Sequence, residues 1–233
     1  MRINGSYKVD VYSAPHSGGW RAADLGGSWG RAHMRGDKIE SIMIWMAEHF
    51  DDRGLDFADG LPRFNLMDEE GCDEATALSE CRRRGDAWLE AHASLIRHYG
   101  IRVYRWDGWL GHTDFAQTLD GFTQGYQKDP IFAAAVDADI AAFRERCPGK
   151  NPVLARRFIL EELAAGALMG RERRSISLNP ARELDSFAYA RSLAGAGLPD
   201  GLANQKHATF KLRLQRNVKP AILSAPYLMK AAA

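Results

Sequence analysis

The residues best suited to chemistry lie near the start of the chain, in Gly26-Gly27-Ser28-Trp29-Gly30, a match to G-x-S-x-G. Glycines on both sides of a serine let a strand turn sharply into the next element. They lift the hydroxyl into the open and leave nearby backbone N–H groups free to hold an oxyanion. Taken alone, the pentapeptide is also what a glycine-rich turn with an incidental serine looks like. Position decides against one obvious use of it. An α/β-hydrolase builds part of its oxyanion hole after its third strand, upstream of the nucleophile. Only 27 residues precede Ser28, which leaves room for about two strands. His207 is a candidate base but stands alone in a basic segment. A serine without a histidine needs either another base or an acyl donor that is already activated, and an ester to a tRNA ribose is such a donor.

The surrounding sequence must position that loop. Tyr7–Tyr12 alternates and is rich in β-branched and aromatic residues, which predicts a strand; His16 to Gly19 reads as a turn and Ala22–Gly26 as a second strand leading into the serine loop. Ile39, Ile42, Met43, Met46 and Phe50 share one helical face, with Asp37 near its start. Leu55–Ala58 is expected to be a strand, Glu74–Tyr99 a long helix stopped by Gly100, and Ile101–Trp106 a further strand. Helices are expected over Thr113–Gln127, Pro130–Arg146 and Val153–Met169, then strands over Ser175–Leu178 and Ala208–Leu214. Strands alternating with helices imply a single Rossmann-like α/β domain over residues 1–233, with a mainly parallel sheet and helices on both faces. Such sheets bind ligands at the carboxyl ends of their strands, where the Ser28 loop falls.

Composition adds exclusions. The chain has 233 residues, 45% hydrophobic and 26% charged, enough for one sizeable core and without an apolar run of membrane-spanning length. The N-terminus has no signal-peptide character, and the odd set Cys72, Cys81 and Cys147 lacks C-x-x-C spacing. These features predict a cytoplasmic protein with reduced thiols, no disulfide framework and no zinc site. His92 and His98 do not share a helical face, and no metal constellation appears among the seven histidines. Net charge is only +1, but residues 201–233 hold six Lys or Arg and no acid, and further basic knots occur at Arg82-Arg83-Arg84, Arg156-Arg157 and Arg171 to Arg174. Any one knot is an ordinary solvated face; together they are compatible with a phosphate-contacting surface.

The order of short motifs then resembles that of the tRNA-dependent cyclodipeptide synthases. Leu25-Gly26-Gly27-Ser28-Trp29-Gly30 and the helix ending Ile44-Trp45-Met46-Ala47-Glu48-His49-Phe50 are similar to that family's serine loop and following helix. Asp59-Gly60-Leu61-Pro62-Arg63-Phe64-Asn65 resembles its D-x-L-x-R-x-N segment, and Gly85-Asp86-Ala87-Trp88 its G-D-x-W stretch. Arg105-Trp106-Asp107, Phe132 to Arg146 and Phe158-Ile159-Leu160-Glu161-Glu162 continue in the same order, so the resemblance covers about residues 20 to 190. It implies a fold like the catalytic domains of class I aminoacyl-tRNA synthetases. It also implies an ATP-independent aminoacyltransferase that uses two aminoacyl-tRNAs per diketopiperazine, needs no cofactor or metal, and acts as a monomer or homodimer. Ser28 would be the nucleophile, and Glu162 would hold the α-ammonium and move protons. Asp24, Gly26, Arg31, Trp106, Phe158 and Asn179 would surround the aminoacyl group, and Arg82, Arg83, Arg84 and Arg97, beside His98, would face tRNA.

The departures are specific. Phe158 stands where the family usually has tyrosine, Asn179-Pro180-Ala181 where many members have a tyrosine before proline-glycine, and Arg31 where one subfamily has asparagine. Two missing phenols bear on cyclisation more than on acylation, so an aminoacyl transfer to another amine stays open. So do a serine esterase and an RNA-binding module. The glycine pattern does not fit a dinucleotide fingerprint. Asp24, four residues before the serine, would either receive a cationic or hydrogen-bonding aminoacyl side chain such as Arg, Lys or His, or be salt-bridged to a neighbouring arginine. Only one of the adjacent Glu161 and Glu162 is expected to face inward.

Overall fold

The computed structural model describes residues 6–12, 20–192 and 197–215. The expected turn at His16 to Gly19 and the basic residues Arg216, Lys219 and Lys230 lie outside them.

Six strands form one sheet. They are β1 (Tyr7–Tyr12), β2 (Ala22–Gly27), β3 (Asp52–Phe57), β4 (Arg102–Arg105), β5 (Ser175–Asn179) and β6 (Gln205–Leu214), in the spatial order β1-β6-β5-β2-β3-β4. All pairings are parallel except β1 with β6, which runs antiparallel from Tyr7 opposite Leu214 to Tyr12 opposite Thr209. The chain builds outward from β2 through β3 to β4, then returns to place β5 on the other side of β2. The strand order therefore reverses between β2 and β5, and the crevice beyond their carboxyl ends is the place where such sheets bind ligands. Ser28 follows β2 directly.

The helices are α1 (Asp37–His49), α2 (Arg63–Glu70), α3 (Glu74–His98), α4 (Trp106–Leu110), α5 (Phe115–Lys128), α6 (Pro130–Arg146), α7 (Pro152–Glu172) and α8 (Asp185–Ser192). The periodic helices sit where the apolar spacing puts them. Their ends carry recognisable caps: Asp73 accepts from Thr76 N, Asp129 from Ile131 N and Phe132 N, and Asn151 from Val153 N. No helix among the described residues is long and apolar enough to cross a membrane.

Three helices, α2, α4 and α8, are absent from the sequence expectation, and one strand is shorter. The strand expected to run to Trp106 stops at Arg105, because Asp59 Oδ1 accepts the Trp106 N–H at 3.1 Å and opens α4 there. The α8 N-terminus is likewise capped from afar, with both carboxylate oxygens of Asp139 accepting the Asp185 and Ser186 N–H groups at 2.9 Å. Helix α2 has no side-chain cap and ends at Gly71 with φ 65°; Arg63 at its start is anchored instead to α7 and α3.

Side chains alternate across the strands, and the two faces of the sheet differ. On one face Ala23, Leu25, Leu55, Phe57, Ile176, Leu178, Ala208 and Phe210 pack against Ile39, Ile42, Met43 and Met46 of α1 and Trp88 of α3. On the other face the register aligns His207, Ser177, Asp24, Gly54 and Arg102 in one row, and Gly26, Asp56 and Tyr104 in the next. The apolar cluster on that side is built mainly by helices α4 to α7.

Candidate active site

Ser28 is 8% exposed at the end of β2, continuing the alternation of Asp24 and Gly26 on the polar face. The backbone turns immediately after it. Arg31 N donates to Ser28 O at 3.0 Å and Met34 N to Arg31 O at 3.0 Å, closing a short 3-10 turn over Ala32–Met34. The Trp29 and Gly30 amides donate to no backbone carbonyl among the described residues, as an oxyanion-holding turn requires.

The glycines before the serine are set by close approach. A Cβ on Gly26 would fall 2.5 Å from Asn179 Oδ1, and one on Gly27 would fall 2.6 Å from Met34 Sδ and 3.0 Å from His33 Nε2. Asn179 at the end of β5 thus lies against Gly26 and is steadied by a bond from its Nδ2 to Ser177 Oγ at 3.1 Å.

Two side chains that the motif does not reveal hold this turn. His33 Nε2 lies 3.1 Å from Gly26 O, as a donor to that carbonyl, with its ring edge-on to Phe210. Burial pushes its pKa below the ordinary value, so it stays neutral. Trp88 Nε1 donates to Met34 O at 2.9 Å. His207 lies 3.1 Å from Ala181 O and 3.3 Å from Thr209 Oγ1. Neither histidine bonds Ser28, so no Ser–His pair is present among the described residues.

Glu162 comes from α7. Both members of the Glu161–Glu162 pair turn inward, contrary to the expectation for neighbours. Glu161 is 5% exposed and takes Arg63 Nη2 on both oxygens, at 2.7 and 2.6 Å, while Arg63 Nε donates to Glu74. That satisfied ion pair is what permits a second carboxylate beside it. Glu162 has no such partner among the described residues. It lies deep in the protein yet keeps accessible surface, as does Asp56 on β3, the property of side chains lining a recess. Burial pushes Glu162 up to about 7, opposed by the charge of Arg31. Burial, with Asp24 and Glu162 nearby, pushes Asp56 up to about 7 as well. A carboxyl group poised there can take and give protons at neutral pH.

Asp24 lies on the same face, 1% exposed, with Arg173 Nη1 3.4 Å from its Oδ1. Neither of its oxygens accepts a well-formed hydrogen bond; the Ser175 hydroxyl lies close but outside bonding geometry, and burial raises the pKa of the group. A Cβ at Gly54 would come within 1.9 Å of Asp24 Oδ1, so glycine there makes room for the carboxylate. Tyr104 stacks on Trp109 at 6.1 Å, and Trp109 Nε1 makes a long contact of 3.4 Å to Asp56 Oδ1.

The remaining expected site residues are spread more widely. Arg31 is exposed at the turn after the serine. Phe158, one turn before Glu162, packs edge-on against Phe64 at 6.5 Å. Trp106 is 1% exposed and packs on Gly60, where a Cβ would meet its Cδ1 at 2.6 Å. It is a core residue with no accessible face for substrate, and Trp109 is the tryptophan near the acids. On α3, Arg82 is bound to Asp107, and Arg83 and Arg84 both to Glu80, whose carboxyl they hold down to about 2. Arg84 also lies 5.0 Å over the Trp29 ring, next to Ser28. Arg97 is exposed in the last turn of α3. Asp56, Tyr104, Trp109 and His33 are the residues that sequence reasoning missed. The signal for Asp56 was an acid inside a strand of a parallel sheet, where both faces are normally apolar.

The matched motifs are largely struts. Asp59 accepts from Arg105 Nε at 2.8 Å, Arg105 Nη1 donates to Asp86, and α3 passes so close that a Cβ on Gly85 would meet Asp59 at 2.8 Å. Among the described residues no group of three His, Cys, Asp or Glu is placed to hold a metal ion.

No family model and no curated protein matches the sequence. Solved structures do match in fold. A cyclodipeptide synthase from Fluoribacter dumoffii superposes with a TM-score of 0.77 at 14% identity, over 89% of this chain and 98% of that one. One from Candidatus Glomeribacter gigasporarum, bound to Phe-tRNAPhe, gives 0.70 at 15% identity, over 87% and 92%. A Mycobacterium tuberculosis protein, whose structure relates cyclodipeptide synthetases to type I tRNA synthetases, gives 0.70 at 12% identity, over 91% and 96%. The fold is that of these cyclodipeptide synthase structures: one α/β domain with a mainly parallel sheet. The same architecture was expected from the motif order around Ser28, Asp59, Gly85 and Glu162.

Proposed function

We propose that this chain is a tRNA-dependent cyclodipeptide synthase working through an aminoacyl-Ser28 enzyme. The observation that carries the reading is the placement of Ser28 at the switch point between β2 and β5, on the face that carries Glu162 and without a histidine partner. A serine so placed suits a donor that is already an activated ester.

Ser28 Oγ bonds to the carbonyl carbon of the first aminoacyl ester, the bond to the ribose oxygen breaks, and the serine proton goes to the departing ribose hydroxyl. Glu162, near neutral pH partly ionised, holds the α-ammonium and takes its proton as the amine becomes a nucleophile. That amine attacks the second aminoacyl-tRNA, forming a peptide bond and releasing the second tRNA. The new terminal amine then attacks the Ser28 ester, closing the diketopiperazine and restoring the hydroxyl. No ATP or metal enters these steps. Asn179 and Phe158 bring no phenol to them, so proton movement in cyclisation falls to Glu162.

The exposed cations of α3, Arg82, Arg83 and Arg97, with Arg84 beside Trp29, are the surface we assign to tRNA. Phosphates would replace Asp107 and Glu80 as partners, and binding should weaken steeply with salt.

The test is intact-protein mass spectrometry of the protein, beside Ser28→Ala, after mixing with a pool of charged tRNAs. An aminoacyl mass increase confined to the wild type, with a cyclic dipeptide in the supernatant, supports the synthase. An adduct with no cyclic product points to transfer onto another amine. No adduct at all, with hydrolysis of simple esters, returns the reading to an esterase.

A further inference from the structure

The polar face of the sheet carries more carboxyl groups than aminoacyl transfer requires. Asp24, Asp56 and Glu162 act on one another there, and among the described residues Arg173 contacts Asp24 alone of the three. Arg173 sits at the amino end of β5, where it also reaches Asp52 and donates to the Tyr104 hydroxyl, so it closes the floor of the recess beneath Asp24. That leaves Asp56 and Glu162 without a counter-charge in contact. In the proposed reaction Glu162 faces the substrate's α-ammonium. Asp56 then remains, two residues back along the strand direction from Ser28, since its register partner is Gly26.

The surroundings of Asp56 do not fit a structural role. Among the described residues its one hydrogen-bond donor is the long contact from Trp109 Nε1 at 3.4 Å, although it is enclosed and retains accessible surface. Independently, Asp24 is 99% buried by its 1% exposure, and both of its oxygens lack a hydrogen bond. Unsatisfied buried carboxylates are costly unless a ligand completes them. Beside Asp56 the buried Trp109 ring stacks on Tyr104, and the Arg173 guanidinium already lies 5.5 Å over the Tyr104 ring, so these rings wall the carboxyl group without neutralising it. An apolar aminoacyl side chain would leave Asp56 unpaired, which is the strongest basis on which a polar pocket rejects a ligand.

We infer that Asp56, register partner of Gly26 on the strand that leads to Ser28, selects a first aminoacyl group with a cationic side chain, guanidinium or ammonium, and is the specificity-determining carboxylate. This rests on the aminoacyl-Ser28 reading and extends it. It also moves the selecting role from Asp24, which Arg173 already faces, to Asp56.

The experiment offers the wild-type protein equal amounts of arginyl-, lysyl-, leucyl- and phenylalanyl-tRNA and identifies the Ser28 adduct by mass. An arginyl or lysyl adduct in at least tenfold excess over the apolar ones is the expected result. Asp56→Asn should lower that adduct tenfold or more while the melting temperature shows the variant folded, and Asp56→Leu should turn the preference towards leucyl or phenylalanyl. A leucyl or phenylalanyl adduct on the wild type overturns the inference while leaving the acyl-serine reading intact. Unchanged cationic preference in folded Asp56→Asn overturns the assignment to Asp56. Absence of any adduct on the wild type removes both.

Discussion

The two faces of the central sheet are made by the same strands and built on opposite rules. The face towards α1 and α3 is apolar at its centre: Leu25, Leu55, Phe57 and Leu178 are each no more than 1% exposed and meet isoleucines and methionines. The face towards α7 carries Asp24, Gly26, Ser177 and Asn179 from β2 and β5, and Gly54 and Asp56 from β3. Alternation alone separates them, so neighbours such as Leu55 and Asp56 do different work one residue apart. The apolar face fixes the strands; the polar face holds charge that is satisfied where it is structural, as in Arg63 with Glu161, and unsatisfied where it faces the recess. Buried charge of the second kind marks function more sharply than buried charge of the first.

The comparison can be broken by changing one member of each kind. The largest loss of stability is expected for Arg63→Met, which strands Glu161 in the interior: about 3–5 kcal/mol, read from urea unfolding. Leu55→Ala on the apolar face should cost about 2–4 kcal/mol by the same measurement, with aminoacyl preference unchanged. Glu162→Gln should do the opposite to stability while lowering dipeptide formation at least a hundredfold. The wild-type carboxyl has a pKa of about 7 in the folded state, raised from the ordinary value of 4.5, so the folded protein holds the proton more tightly. The stability this confers is complete below the unfolded value and is lost as pH rises through about 7. At pH 8 the glutamine variant is therefore expected to be more stable by about 1–2 kcal/mol, roughly 2–8 °C in melting temperature, with no difference at pH 4. A melting curve that moves equally at both pH values would place Glu162 with Glu161 among the structural acids. The smallest effect is expected on α3, where Arg82→Ala with Arg83→Ala should flatten the salt dependence of tRNA binding by about two phosphate contacts and leave folding unchanged.

What the sequence reveals divides along the same line. The apolar face is periodic, so the strands and the long helices over residues 37–49, 74–98 and 130–146 are legible from spacing and local caps. Helix α8 is not, because its cap, Asp139, comes from another helix. Trp106 reads as a strand residue because the bond from its N–H to Asp59 Oδ1 is tertiary. In the site, Ser28 is legible from the glycines that crowd it. Glu162 is legible only through the family's motif order, since its neighbour Glu161 is equally acidic and also turns inward. Asp56 escapes notice because a lone acid in a short strand looks like an ordinary solvent-facing position until the register sets it beside Gly26.

The antiparallel pair β1–β6 joins Tyr7 to Leu214 and is the outermost pair of the sheet. As the chain emerges during synthesis, β1 comes first, yet its partner is the last strand of the described residues. Every other strand can pair before it. Its hydrogen-bonding groups stay unmatched through most of translation, and the long separation makes this the slowest contact to form. Pairing of that edge is thus expected to follow the pairing of the strands around Ser28.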